Sequence, residues 1–171
     1  MMKNLFLFVA ASIAILPGCK VAKYTPDKLP ARQLIFGNGG GFAGIETSFT
    51  LLENGQVFRQ TGVEGSYEEL KSIRPKEAKA LFSKLSSLQL YKLDIEKPGN
   101  LYYFMREVTD KLDSKVTWGA GDYLPPQALI SLYKELYSKV KDREAIAAGK
   151  SMPQEKNEEK KKKNNEEVIK W

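Results

Sequence analysis

The chain has 171 residues, of which 42% are hydrophobic and 28% charged, with one Cys, no His and a formal net charge of +6. That length suits one ordinary domain and not two. A single Cys rules out an internal disulfide framework, and the lack of His removes most zinc sites and every His-based triad.

The first residues carry one positive charge, Lys3, followed by twelve uncharged residues from Leu5 to Leu16. A membrane-spanning helix needs about 20 apolar residues, so this run is too short to span and has the size of a signal-peptide core behind a basic start. Leu16-Pro17-Gly18-Cys19 follows. It resembles the lipobox of bacterial lipoproteins: an aliphatic residue, a small one beside the cut, then Cys. The resemblance implies a signal peptide over 1–18, cleavage after Gly18, and lipidation of Cys19. It also implies export from the cytoplasm and a lipid anchor in the cell envelope. Two or more acyl chains hold stably, since each buried methylene contributes about 0.8 kcal/mol.

The charge is unevenly distributed. Lys20, Lys23 and Lys28 face only Asp27 beside the expected anchor. Residues 31–142 hold fifteen basic and fourteen acidic side chains, and 149–171 hold seven Lys against five Glu. A nucleic-acid binder concentrates its basic residues on the folded face that meets phosphates. Here the excess lies in the flanks, so no nucleic-acid partner is expected.

Residues 19–30 are expected to be the lipidated Cys and a stalk: two prolines and no periodicity, with an extended reach of about 40 Å. Arg32–Phe36 reads as a short strand ending at Gly37. Residues 45–52 alternate, with Ile45, Thr47, Phe49 and Leu51 on one face. Asn54-Gly55 then suits a two-residue hairpin loop, which would put Leu51 opposite Phe58 and Thr50 opposite Arg59. Pro75 opens a helix whose Ala78, Leu81, Phe82, Leu85 and Leu88 recur at helical spacing. Leu101–Val108 and Lys115–Trp118 form a second expected hairpin. Pro125-Pro126 precede a last helix with Leu129, Tyr133, Leu136, Tyr137 and Val140 on one face. The order predicts a single α+β domain over 31–148, with an antiparallel sheet of four to five strands and two helices packed on one face. Residues 154–167 contain no apolar side chain, which predicts a disordered Lys/Glu-rich tail over 149–171.

No catalytic constellation emerges. Glu68 with Glu69, and Asp94 with Glu96, are sequence neighbours without the separation that paired acid–base carboxylates need. No calcium-loop spacing is present, and neither a metal nor a cofactor is expected. Gly39-Gly40-Gly41-Phe42-Ala43-Gly44 formally matches G-x-G-x-x-G, but a strand pattern follows where a dinucleotide fold needs a helix. Two readings of the glycine-dense stretch remain: a wide turn or bulge set by backbone geometry, or a loop presenting Phe42 and bare amides to a partner. Tyr102, Tyr103, Trp118, Tyr123, Tyr133 and Tyr137 supply aromatic core and, in part, binding surface.

Gly40-Gly41-Phe42-Ala43-Gly44-Ile45 resembles the Gly-Gly-Phe-Ala-Gly signature of the emfourin-like proteins, inhibitors of thermolysin-type metalloproteases. The order of elements over about residues 33–140 is similar as well. The expectation is a non-catalytic, lipid-anchored binding domain. The alternative implied by the resemblance is a metalloprotease inhibitor whose Gly-rich 37–44 loop occupies the enzyme's cleft.

Overall fold

The computed structural model describes residues 22–62 and 64–146. The expected signal peptide, Cys19 and the tail over 149–171 lie outside the described residues. Seven strands and two helices form one α+β unit. In chain order they are β1 (Gln33–Gly40), β2 (Thr47–Leu51), β3 (Val57–Thr61), β4 (Tyr67–Leu70), α1 (Pro75–Leu88), β5 (Glu96–Lys97), β6 (Leu101–Val108), β7 (Asp113–Trp118) and α2 (Gln127–Val140), with a 3-10 turn at Leu90–Lys92. The spatial order is β4-β3-β2-β1-β6-β7-β5.

The sheet is larger than the expected four to five strands, and it is mixed. β5 runs parallel to β7, while every other pair is antiparallel. The strands that the pattern missed are the two edges. Only Leu70 of β4 is buried, and both β5 residues are exposed. Backbone pairing holds such edges, and apolar alternation does not mark them.

Three further expectations are corrected. β1 does not stop at Gly37 but continues to Gly40. Gly37 pairs with Phe104 and Gly39 with Tyr102 across β6, and each ring lies in the space a Cβ on the glycine would enter. An aromatic neighbour thus supplies the packing that a glycine strand lacks.

The first hairpin has a three-residue loop and a register one residue away from expectation: Leu51 faces Val57 and Thr50 faces Phe58. Leu52 N–H bonds to the Gln56 carbonyl at 3.0 Å, and Gly55 N–H to the Leu52 carbonyl at 2.9 Å. Gly55 alone takes a positive φ there, +91°, the geometry of a turn closed by a left-handed residue. Ile73 N–H bonds to the Gly55 carbonyl at 2.9 Å, and a Cβ on Gly55 would overlap the Ile73 carbonyl oxygen. The one-residue shift leaves Leu51 and Val57 toward the helices and sends Phe58 to the opposite face.

Residues 22–30, expected to be stalk, are held against the sheet. The Gln56 side-chain amide pairs with the Tyr24 backbone like a ladder rung: Tyr24 N–H donates to Oε1 at 2.8 Å, and Nε2 donates to the Tyr24 carbonyl at 3.0 Å. Gln56 is buried, so this pairing also satisfies an amide that burial would otherwise penalise. Asn54 Nδ2 donates to the Ala22 carbonyl at 2.7 Å, and Lys23 pairs with Glu69 at 3.3 Å.

Both helices pack on one sheet face. α1 buries Ala78, Leu81, Phe82 and Leu85, and α2 buries Leu129, Tyr133, Leu136 and Val140 as the spacing predicts, with Leu132 in addition, while the expected Leu88 and Tyr137 are only partly buried against this core. Leu34, Phe36, Phe49, Leu51, Met105 and Val116 meet them from the sheet. Arg32 closes the lower border of this core. It donates to Glu53 at 2.9 Å, Ser86 at 2.7 Å and the buried Glu107 at 3.1 Å, and lies 5.1 Å from the Phe82 ring centre. No helix among the described residues is long and apolar enough to cross a membrane.

Alanine at the two glycines of β1 separates backbone from side-chain constraint. A Cβ on Gly37 would overlap the Thr47 carbonyl oxygen and crowd the Ser48 Cα, neither of which moves without the strand. A Cβ on Gly39 would meet only the Tyr102 ring, which can swing aside. Chemical denaturation should show Gly37→Ala costing about 3 kcal/mol or more, and Gly39→Ala about 1 kcal/mol.

Candidate functional site

β1, β6 and α2 determine what lies at one end of the sheet. β1 leads there into the turn Gly41-Phe42-Ala43-Gly44, closed by a Gly44 N–H bond to the Gly41 carbonyl at 3.2 Å. Gly40, Gly41 and Gly44 take φ of +92°, +74° and +61°, which L side chains rarely adopt. Glycine is therefore required for geometry at the two borders of the turn. The non-glycine residues between them, Phe42 and Ala43, point into solvent.

The expected site residues divide accordingly. Gly39 and Gly40 belong to β1, with Gly39 buried beneath Tyr102, and neither is a loop residue. Gly41, Phe42, Ala43 and Gly44 form the projecting turn, and Phe42 is fully exposed. Cys19 lies outside the described residues.

The turn is clamped on both sides. Gly41 N–H donates to the Asn100 carbonyl at 2.8 Å. On the far side, Tyr102 donates its hydroxyl to Glu46 at 2.9 Å, and Gly62 N–H bonds to the Glu46 carbonyl at 2.7 Å. Beneath the turn, Tyr133 donates its hydroxyl to the Gly37 carbonyl at 3.1 Å, tying α2 to the strand that carries the turn. Its ring meets Trp118 edge-on at 5.2 Å, Tyr103 at 5.5 Å and Tyr137 at 5.8 Å. A large apolar side chain on so rigid a support binds with little ordering cost.

Other apolar side chains share this end of the molecule, and none of them was expected there as a site residue. Leu101, paired with Gly40, is 60% exposed, and Leu124 in the connection before α2 is 84% exposed. Ile45, expected on the inner face with Phe49 and Leu51, is 54% exposed. Their common signal is an apolar residue beside turn-formers: Pro98-Gly99-Asn100 before Leu101, and Pro125-Pro126 after Leu124. The loops carrying them converge because Gly99 and Gly119 allow backbone against backbone. Monomeric domains rarely gather several large exposed apolar side chains in one place without using them.

The two carboxylate pairs that are neighbours in sequence lie as follows. Glu68 and Glu69 occupy successive positions on β4 and so project to opposite faces, Glu68 onto Arg59 and Glu69 onto Lys23 and Gln56. Asp94 and Glu96 are both exposed. Among the described residues no three His, Cys, Asp or Glu side chains come together to hold a metal ion. An open groove of about 850 Å³ lies elsewhere, where Tyr24 and Pro26 pass beside Phe58 and Tyr67. The sequence did not reveal it, since it exists only because residues 22–26 fold back.

No known family model matches the chain, and no curated protein matches it.

Two phenols of this end titrate late. The bond to Glu46, and then burial, raises the Tyr102 pKa. Burial, and then the neighbouring Tyr137 and Tyr103, pushes that of Tyr133 far up. Both folded values exceed the unfolded value of about 10, so the fold holds protons that the unfolded chain releases. Their stabilising effect is complete below about pH 10 and is lost as pH rises from there toward the folded values. Urea unfolding at about pH 8 and about pH 11 should show this loss, and Tyr133→Phe should reduce the difference between the two.

Proposed function

We propose that the chain is a lipid-anchored lipoprotein of the bacterial cell envelope whose α+β domain is a non-catalytic binding module. The turn Gly41–Gly44 with its apolar neighbours is the binding surface. One observation carries this reading: Phe42 is fully exposed on a turn held from both sides by Asn100 and by the Tyr102–Glu46 pair. An exposed aromatic ring costs solubility and gives nothing to the core, whereas in an interface it is an effective anchor. The lipobox Leu16-Pro17-Gly18-Cys19 supports the anchor and the exported location.

The alternative reading, inhibition of a thermolysin-type metalloprotease, draws support from the resemblance at residues 40–45 and from the shape of the turn. A narrow projection bearing one ring suits entry into a cleft. On this reading the inserted part is Gly41–Gly44 rather than the whole of 37–44, because Gly37, Gly39 and Gly40 are occupied in the sheet.

Cys19→Ala should move the protein from the membrane fraction to the soluble one; retention equal to wild type would remove the lipid anchor from the account. Crosslinking in intact cells should yield protein adducts that Phe42→Ala loses, since truncating a central aromatic costs about 2 kcal/mol, roughly thirtyfold in affinity. An inhibition assay separates the alternative. At about 10 μM the chain would half-occupy a protease bound with roughly −7 kcal/mol, so unaltered rates across several thermolysin-like enzymes would leave only the general binding module.

A further inference from the structure

The two ends of the sheet are occupied by different things. β2 runs away from the Phe42 turn and ends at the loop Leu52–Gln56, while β1 begins beside that loop and runs toward the turn. The first described residue, Ala22, is bonded to Asn54 in the same loop. The chain therefore enters the domain at the end opposite Phe42. The eight residues of β1 separate the two ends by about 26 Å.

Only Lys20 and Val21 lie between Cys19 and Ala22. Two intervening residues span about 10 Å at most, where a free stalk would allow about 40 Å. Resting on the lipidation of Cys19 proposed above, this spacing keeps the Ala22 end within about 10 Å of the anchored residue.

Charge agrees with the geometry. At the Ala22 end the carboxylates Glu53, Glu69, Glu77, Glu107, Asp142 and Glu144 each have a cationic partner within 4 Å. Lys76, Lys79 and Lys111 are exposed at that end without an ion pair among the described residues, against the exposed Asp110 and Asp27. The Phe42 end carries Glu46, Glu64, Glu96 and Asp122 against Lys97. A basic end is attracted to anionic headgroups within a Debye length, and an acidic end is repelled.

We infer that residues 22–30 are a strap that seats the basic end of the domain on an anionic lipid surface and aims the Phe42 turn away from it. The binding surface is thereby presented to partners at a fixed height, about one strand length above the headgroups. Neither diffusion of a leash nor insertion of Phe42 into lipid is part of this arrangement.

The test uses the full chain, acylated in cells and reconstituted into vesicles of phosphatidylglycerol with phosphatidylcholine that contain a headgroup quencher. Acylation blocks Cys19, so a fluorophore attaches only at an added thiol, Lys76→Cys or Ala43→Cys. The strap predicts strong quenching at 76 and none at 43. Quenching at 76 should weaken in pure phosphatidylcholine or at high salt, and disappear when a flexible Gly-Ser segment is inserted between Val21 and Ala22. That insertion precedes the strap contacts of Ala22, Lys23 and Tyr24. Equal quenching at both positions, or quenching at 43 alone, in protein that still floats with vesicles overturns the strap while the anchor stands. Protein that does not float with vesicles overturns the anchor, and the strap with it.

Discussion

The two halves of the sheet meet only at β1. On one side β2, β3 and β4 follow each other as hairpins; on the other β6 and β7 pair locally, with β5 at the edge. β1 must therefore hold the molecule together through a segment containing Gly37, Gly39 and Gly40, residues that lose much entropy on folding and bury no side chain of their own. The deficit is made up from outside the strand. Phe104 and Tyr102 cover one face, and Tyr133 reaches the Gly37 carbonyl from the other. These same contacts align β1 with β6, so the junction of the sheet and the base of the Phe42 turn are one construction.

Support for the turn is thus not separate from support for the fold. Glu46 and Asn100 fix the turn's two sides, Tyr102 links one of them to the glycine strand, and the Tyr103–Trp118–Tyr133 rings fill the space beneath. Flexibility has been removed from the place where an exposed ring would otherwise be free to fold back. At the opposite end, Gln56 does similar work for residues 22–30 by lending its amide to a segment with few regular backbone partners. A buried glutamine is costly unless both its oxygen and its nitrogen are satisfied, and here both are.

Much of the local structure was legible because it depends on neighbours along the chain. Pro75 and Pro126 precede apolar spacings of three and four residues, and both helices bury the faces those spacings mark. Asn54-Gly55 marked a hairpin, yet its register was not legible. The preference for a two-residue loop lost to a contact between Gly55 and Ile73, which lies in the connection to α1. Periodicity also could not show that Phe42 would share its end of the sheet with Leu101 and Leu124, which come from distant loops.

From the sequence alone came the two helices, the places of the central hairpins, a glycine-dense stretch with its turn and presenting-loop readings both open, and the lipobox with its expectation of an anchor. The helices, the hairpins and the glycine-dense stretch follow from φ preferences or apolar spacing within about a dozen residues, and the anchor from the resemblance to a lipobox alone. Only the tertiary structure decided the extension of β1, the polar edge strands, the one-residue register shift and the docking of residues 22–30. In all of these a residue is stabilised by partners remote in sequence, Tyr102 above Gly39 and Gln56 beside Tyr24 among them. Such pairings leave no periodic trace in either segment, because what selects them is the shape and hydrogen bonding of a surface that exists only after folding.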